Sequence, residues 1–266
     1  MPTVARADVL KAVYEAASRQ IQAREMPTML IPAEQTIFRS VPARFLPKPV
    51  AGGHVSKRQA SEALKPRDGA DEAKNRFSGP SYNSGIRDAG GLYCVLQQQA
   101  LVNEVMHYAL KGGVQRSMTP GAKLADAAME DKCVIKIVLM RQILVAELSP
   151  HNPGMASFLK KLEHSPGLID LLARTKYTSQ VGLWSRMVDG DDCSVARGLG
   201  LAVANSGFLG GLAVQTVRKS GRSDEERGDN LVLFGASMQP IPGLYVDQAY
   251  YFNRQGAIEA FPVEFP

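Results

Sequence analysis

The apolar residues near the start of the chain recur at the spacing of one helix face. Within residues 7–24 they are Val9, Leu10, Val13, Ala16, Ala17 and Ile21. Lys11, Glu15 and Arg19 fall on the opposite side of such a helix. This period predicts an amphipathic helix that packs on the main body of the protein or on a partner.

Short apolar runs in the next part of the chain predict strands. Residues 36–38 fit a short strand that leads into Arg39, and residues 92–96 fit a buried strand. The apolar residues of 100–108 return at helical spacing and predict a helix. Residues 50–89 contain few large apolar side chains, so we expect a long loop there, with a short helix inside it.

The second half of the chain continues this mixture. Residues 134–148 fit two strands or one long bent strand. Helices are expected within residues 150–172 and 191–206, and strands at 212–217 and 231–234. Because strands outnumber helices and do not alternate regularly with them, the pattern favours an α+β fold over a doubly wound sheet.

Composition and charge narrow the class of protein. The chain has 266 residues, of which 45% are hydrophobic and 21% charged, as in an ordinary globular protein. Its net charge of +5 comes from scattered Lys and Arg residues without a recognised nucleic-acid motif, so no nucleic-acid partner is expected. Such a charge suits a phosphate-bearing small molecule or an acidic protein equally well. The absence of an apolar signal core and of a membrane-spanning run predicts a cytoplasmic protein.

Glu104 is the most informative single residue. It lies among apolar residues in the helix expected at 100–108, one turn beyond Ala100. A carboxylate in an apolar setting is either paired or functional, because an unpaired buried charge is costly. The sequence therefore leaves two interpretations of Glu104: a catalytic residue, or the ion-pair partner of a core arginine.

Four pieces of the sequence form a recognisable series. They are Phe38-Arg39, Asn75-Arg76-Phe77, the run from Leu92-Tyr93 to Glu104, and the segment from Gly211 to Arg218 followed by residues 230–234. Taken in this order, they resemble the RES-domain family, which is named for its Arg, Glu and Ser. The most specific part is the spacing of eleven from Tyr93 to Glu104, together with the closing strand, turn and strand.

The resemblance implies a fold and partners. The fold is expected to be an ADP-ribosyltransferase-like mixed sheet core with flanking helices over residues 36–266, after an N-terminal helical extension of residues 1–35. A long loop at about 47–90 and an insertion within about 111–166 are expected as additions. Known members are bacterial toxins, usually neutralised by a partner antitoxin, that consume NAD or transfer its ADP-ribose. An antitoxin or immunity protein is therefore an expected partner, and a homo-oligomer stays open.

The resemblance also assigns roles to residues. Arg39 and Arg76 are expected to hold the dinucleotide, and Tyr93 to pack beside the nicotinamide end. Glu104 is expected to be the catalytic acid. Without the resemblance, both arginines would be ordinary surface residues and Tyr93 a core residue.

The chain departs from the family pattern near its closing strand. The family serine falls at Thr216, with Ser220 as the alternative, and Arg218 is expected beside it as a substrate-binding residue. Threonine keeps the hydroxyl but adds a methyl group. Ser40 stands where relatives carry an aromatic residue.

The expected chemistry requires neither a metal nor a bound cofactor, because NAD is itself the substrate. Nicotinamide leaves as a neutral molecule, so the task is to stabilise positive charge on the ribose, which a carboxylate such as Glu104 does. His107 follows Glu104 by three residues, but no second ligand pair accompanies it. The three cysteines, Cys94, Cys133 and Cys193, form no CxxC pair, so neither a zinc site nor a disulfide framework is expected.

Three functions stay open on the sequence. The first is an NAD glycohydrolase or phosphorylase that acts as a toxin or antibacterial effector, in the bacterial cytosol of the producer or of a target cell. The second is an ADP-ribosyltransferase that modifies a protein or a small molecule. The third is a non-catalytic NAD-binding module, in which the changes at Thr216 and Ser40 have removed activity.

Overall fold

The fold is a mixed α+β structure with one large sheet, as the sequence predicted. The computed structural model describes residues 6–42, 45–66, 77–82, 84–97, 132–149, 152–174, 183, 193–215, 229–236, 239–252 and 258–264. The described helices are α1 (Arg6–Gln22), α2 (Lys57–Ala63), α3 (Pro153–Glu163), α4 (Leu168–Arg174) and α5 (Ser194–Ala204). The described strands are β1 (Thr28–Ile31), β2 (Thr36–Pro42), β3 (Gly90–Val95), β4 (Lys132–Leu139), β5 (Ile143–Leu148), β6 (Gly211–Gln215), β7 (Asp229–Gly235), β8 (Leu244–Phe252) and β9 (Ile258–Pro262). None of the described helices is both long and apolar enough to cross a membrane.

One antiparallel ribbon sets the frame of the sheet. β1 pairs with β5, with Ile31 opposite Ile143, and β2 pairs with β4, with Thr36 opposite Val138. The register is the same in both ladders, although residues 140–142 separate β4 from β5. Of the two interpretations that the sequence left open for residues 134–148, the structure shows two strands.

The bend forces the sheet to curl. The strand order is β1-β5-β6-β7-β3-β2-β4-β8-β9, which places β4 and β5 five positions apart. Five strand spacings in a flat sheet measure about 24 Å. The connection from Leu139 to Ile143 spans at most about 14 Å. The sheet therefore curves until β4 approaches β5, and it acquires an inner and an outer face.

The inner face holds one hydrophobic cluster. Its fully buried members include Ile37, Leu92 and Ile135, from the central strands β2, β3 and β4. Helix α2 covers this face through Ala60 and Ala63. The helix begins with a capping box, in which the Ser56 hydroxyl accepts from the backbone N–H of the third helical residue and that residue's side chain accepts from the Ser56 N–H.

The outer face of the same sheet carries most of the helices. Leu212, Val232 and Tyr93 pack there against α1, α3 and α5. Helices α1 and α5 approach closely because Gly198 has no side chain; a Cβ there would lie 2.6 Å from the Leu10 carbonyl oxygen. The segment of residues 1–35, expected as an extension, thus contributes α1 to this core and β1 to the sheet.

The sequence missed three strands: β1, β8 and β9. In β8 the alternation of buried residues shifts by one position, from Leu244 and Val246 to Ala249 and Tyr251. An irregularity in the pairing with β4 causes this shift. Period-two alternation is interrupted at such a bulge, so the strand does not stand out in the sequence.

Gly200 tests the close contact between α5 and the chain at Phe77. A Cβ on Gly200 would lie 1.9 Å from the Phe77 carbonyl oxygen. We therefore expect Gly200→Ala to lower the free energy of unfolding by about 1–3 kcal/mol, although alanine favours helix. Gly85→Ala is the control, since nothing lies within 4 Å of its added Cβ. Urea unfolding measures both, and equal midpoints for the two variants would contradict the packing.

Candidate functional site

The structure describes two of the residues predicted to form the site, Arg39 on β2 and Tyr93 on β3. The others lie outside the described residues: Arg76, Glu104, Thr216, Arg218 and the alternative Ser220. The structure does describe β3, which precedes Glu104, and β6, which precedes Thr216 and Arg218.

The strands connected to the predicted site are neighbours in the sheet, in the order β6-β7-β3-β2. Val95, at the end of β3, pairs with Phe38 on one side and with Asn230 on the other. Gln215, at the end of β6, pairs with Asp229 at the start of β7. The ends of β3 and β6 therefore lie at one edge of the sheet, which we call the β3–β6 edge.

Three residues of the predicted site lie on or after the strands that meet at this edge. Arg39 is the residue after Phe38, and Thr216 is the residue after Gln215. Glu104 lies in the segment that continues from Val95. Three residues far apart in the sequence thus belong to segments that begin at, or pass, the same edge.

Arg39 projects from the inner face. Its neighbours two positions away on β2, Ile37 and Val41, belong to the inner cluster, and side chains two apart share a face. Its Nη1 donates a 2.9 Å hydrogen bond to the carbonyl oxygen of Ala63 in the last turn of α2. Carbonyls there lack partners within the helix, so a guanidinium is a favourable one. This bond fixes the direction of the Arg39 side chain.

Cys94 lies close enough to Arg39 for the positive charge of the guanidinium to affect the Cys94 thiol. Burial raises the pKa of the Cys94 thiol to about 12, and the nearby Arg39 guanidinium opposes this only in part. Burial likewise raises the pKa of Cys133 to about 12. Both thiols therefore stay protonated at neutral pH, and neither offers a thiolate for nucleophilic catalysis.

Tyr93 projects from the outer face, and its hydroxyl contacts the backbone of a neighbouring segment. The N–H of Phe77 donates a 2.9 Å hydrogen bond to the Tyr93 hydroxyl, and the Ser78 hydroxyl lies 3.3 Å from it. Burial raises the pKa of Tyr93 to about 12, with the positive charge of Arg197 acting in the opposite direction. The hydroxyl is neutral at physiological pH and is not a general base there.

The described structure does not bring Arg39 and Tyr93 together. Tyr93 precedes Cys94 on β3, and successive strand residues face opposite sides of the sheet. Cys94 and Arg39 face the inner cluster, whereas Tyr93 packs in the outer one.

Sequence reasoning missed Arg197. It is the one charged residue in the apolar helix α5, and only 3% of it is exposed. Its charge acts on Tyr93, so it lies under the outer face of β3. A lone arginine in an apolar helical run was the available signal, since such a charge is rarely buried without a partner. Arg197 is a core arginine of the kind that the second interpretation of Glu104 requires.

No protein-family model and no curated protein matches this chain. Among the residues that the structure describes, no three His, Cys, Asp or Glu side chains gather as the ligands of a metal ion would.

Alkaline pH tests the burial of the two thiols. A thiol in the unfolded chain titrates near pH 8.5–9, about three units below the folded value of about 12 for Cys94 and Cys133. The unfolded chain then binds fewer protons, so the free energy of unfolding falls as the pH rises from about 9 towards 12. Each thiol contributes a slope of about 1.4 kcal/mol per pH unit in this window.

Urea unfolding at pH 8 and at pH 10.5 measures this slope. We expect the free energy of unfolding to fall less between these pH values in Cys94→Ala than in the wild-type chain, because one of the two buried thiols is removed. If the free energy of unfolding fell equally in the two proteins, Cys94 would not hold its proton in the folded state.

Proposed function

We propose that this chain breaks the nicotinamide–ribose bond of NAD, as a glycohydrolase or phosphorylase, and acts as a toxin or effector. The observation that supports this most is the neighbouring placement of β6, β7, β3 and β2 around one edge of the sheet. Three of the four pieces of the RES resemblance lie on these strands or follow them, although the pieces are scattered over nearly two hundred residues of sequence. An antitoxin or immunity protein is the partner proposed on the same grounds.

The reaction needs little help from an acid, but it needs a negatively charged group near the ribose. The bond between ribose C1′ and the nicotinamide nitrogen breaks, and its electron pair leaves with nicotinamide, which becomes neutral. Positive charge then builds on the ribose. Water or phosphate then forms a bond to C1′. When water is the nucleophile, it releases a proton as this bond forms. In this proposal, the Glu104 carboxylate stabilises the charge on the ribose and orients the incoming water.

Arg39 suits the binding of a pyrophosphate. A guanidinium is planar and always charged, and its forked donors match phosphate oxygens better than an ammonium does. The hydrogen bond from Nη1 to Ala63 holds the group before any substrate arrives. A donor that is already oriented loses less entropy on binding than a mobile one.

The proposal predicts that Glu104→Gln loses activity. We expect the purified wild-type chain to consume NAD with release of nicotinamide, and the variant to be slower by at least about 100-fold, because a neutral amide cannot stabilise the cation. Glu15→Gln is the matched control: Glu15 is an exposed residue of α1 that pairs with Lys11 at 3.9 Å. Equal rates for wild type and Glu104→Gln would contradict the proposal.

The same assay identifies the acceptor and the alternative role of Glu104. Turnover that depends on added inorganic phosphate indicates phosphorolysis, and turnover to ADP-ribose without it indicates hydrolysis. Nicotinamide release that requires an added protein indicates ADP-ribosyl transfer. Thermal unfolding of Glu104→Gln belongs beside the kinetics, since loss of an ion pair with a core arginine would lower the melting temperature while loss of a catalytic group would not.

A further inference from the structure

A small pocket with a volume of about 330 Å³ lies on the outer face of the sheet, where α1 ends and β1 begins. Buried side chains of the outer cluster, among them Ile21 and Leu209, form its apolar lining. Arg24 and Thr28 are its two polar lining residues, and both are exposed. The pocket therefore joins an apolar interior to a charged rim, which is the usual composition of a small-molecule site.

Arg24 occupies a backbone position that favours glycine. The N–H of Glu25 donates to the Gln20 carbonyl and the N–H of Arg24 to the Ile21 carbonyl, both at 3.0 Å, which is the Schellman motif of a helix C-terminus. The left-handed residue of this motif is usually glycine, but here it is Arg24, with a φ of 59°. A side chain at such a φ costs free energy, and glycine would end α1 without that cost. The end of the helix therefore does not explain the arginine.

The Arg24 side chain is directed to the pocket by an aromatic residue. Its guanidinium carbon lies over the ring of Phe208, 3.7 Å from the ring centroid. A cation over an aromatic face is attracted by the ring and is thereby oriented. The N–H groups of a guanidinium lie in its own plane and point outward, so the contact with the ring leaves them available to another partner.

The wall of the pocket that carries Phe208 is held in place by backbone hydrogen bonds. The Ser206 hydroxyl accepts from the Leu209 N–H at 3.1 Å, and the Gly210 N–H donates to the Leu144 carbonyl at 2.8 Å. The aromatic ring therefore projects from a segment that is tied to β5. A ligand that enters a pocket with fixed walls pays less entropy than one that has to order them.

The charge of Arg24 has no neighbouring acid to neutralise it. Among the described residues no carboxylate forms an ion pair with Arg24, and the adjacent Glu25 pairs with Lys161 at 2.7 Å. None of the described residues that line the pocket is acidic. The two oxygens of a carboxylate match the fork of one guanidinium, whereas a phosphate has more oxygens and more charge to satisfy. A single arginine beside an apolar pocket therefore complements a carboxylate with an apolar body.

We propose that this pocket binds a small organic carboxylate, whose apolar part packs against Ile21 and Leu209 and whose carboxylate pairs with Arg24. The pocket lies beside the start of β6, whereas the β3–β6 edge lies at the end of that strand. Binding of a carboxylate here is therefore separate from the proposed cleavage of NAD, and neither proposal depends on the other.

Methyl NMR of the full chain, titrated with benzoate, tests the pocket. Labelled Ile and Leu methyl groups report the location of binding: we expect shifts at Ile21, Leu144 and Leu209, and none at Ile37 in the inner cluster. Benzamide has the ring without the charge, and acetate has the charge without the ring. Each is expected to bind at least about tenfold more weakly than benzoate, because it lacks one of the two contacts.

Arg24→Gln removes the charge and keeps a long side chain at the left-handed position. We expect it to weaken the binding of benzoate by about tenfold or more and to change the affinity for benzamide by less than about twofold. Arg19→Gln is the matched control, since Arg19 is an exposed arginine in the last turn of α1 that does not line the pocket. It is expected to leave the affinity for benzoate within about twofold of the wild type.

The comparison of benzoate with benzamide in the wild-type chain decides the question even if Arg24→Gln does not fold. Shifts confined to the pocket methyl groups that require both the carboxylate and Arg24 support the proposal. Equal affinities for benzoate and benzamide would overturn it, because the pocket would then select only an apolar body. It is equally overturned by an absence of shifts at the pocket, by shifts that extend to Ile37, or by equal weakening in Arg24→Gln and Arg19→Gln.

Discussion

The bent antiparallel ribbon of residues 28–42 and 132–148 is the constraint on which the rest of the structure depends. Its register is unbroken across the bend, so both halves present the same alternation of side chains. A slip by one residue would turn Ile37 and Ile135 from the inner core to the outer face. The short connection between β4 and β5 makes the nine-stranded sheet curl. The curl gives the protein an enclosed inner core and an outer face that four of the described helices cover.

The face of the sheet on which a residue of β3 lies decides which side chains surround it. Tyr93 and Cys94 are adjacent in sequence but belong to different cores. Cys94 lies beside Arg39, which is tied to α2 through Ala63, and Tyr93 lies beside Arg197 and the Phe77 backbone.

Burial sets the protonation state of three side chains in the described part of the chain. The thiols of Cys94 and Cys133 have raised pKa values because they are buried, and the hydroxyl of Tyr93 does too. None of the three supplies a nucleophile or a base at neutral pH.

The sequence by itself determined the local elements and the fold class. Helix α1 was predicted because its buried residues recur at helical spacing, and the strands β3, β6 and β7 were predicted because each is a short run of mostly apolar residues. Both signals are properties of neighbouring residues. Tertiary structure decided the rest. A bulge interrupts the alternation in β8, the sheet curls because the connection between β4 and β5 is short, and Arg39 and Tyr93 face opposite ways because distant strands set their register. These features depend on pairing between residues far apart in the chain, and no local period encodes them.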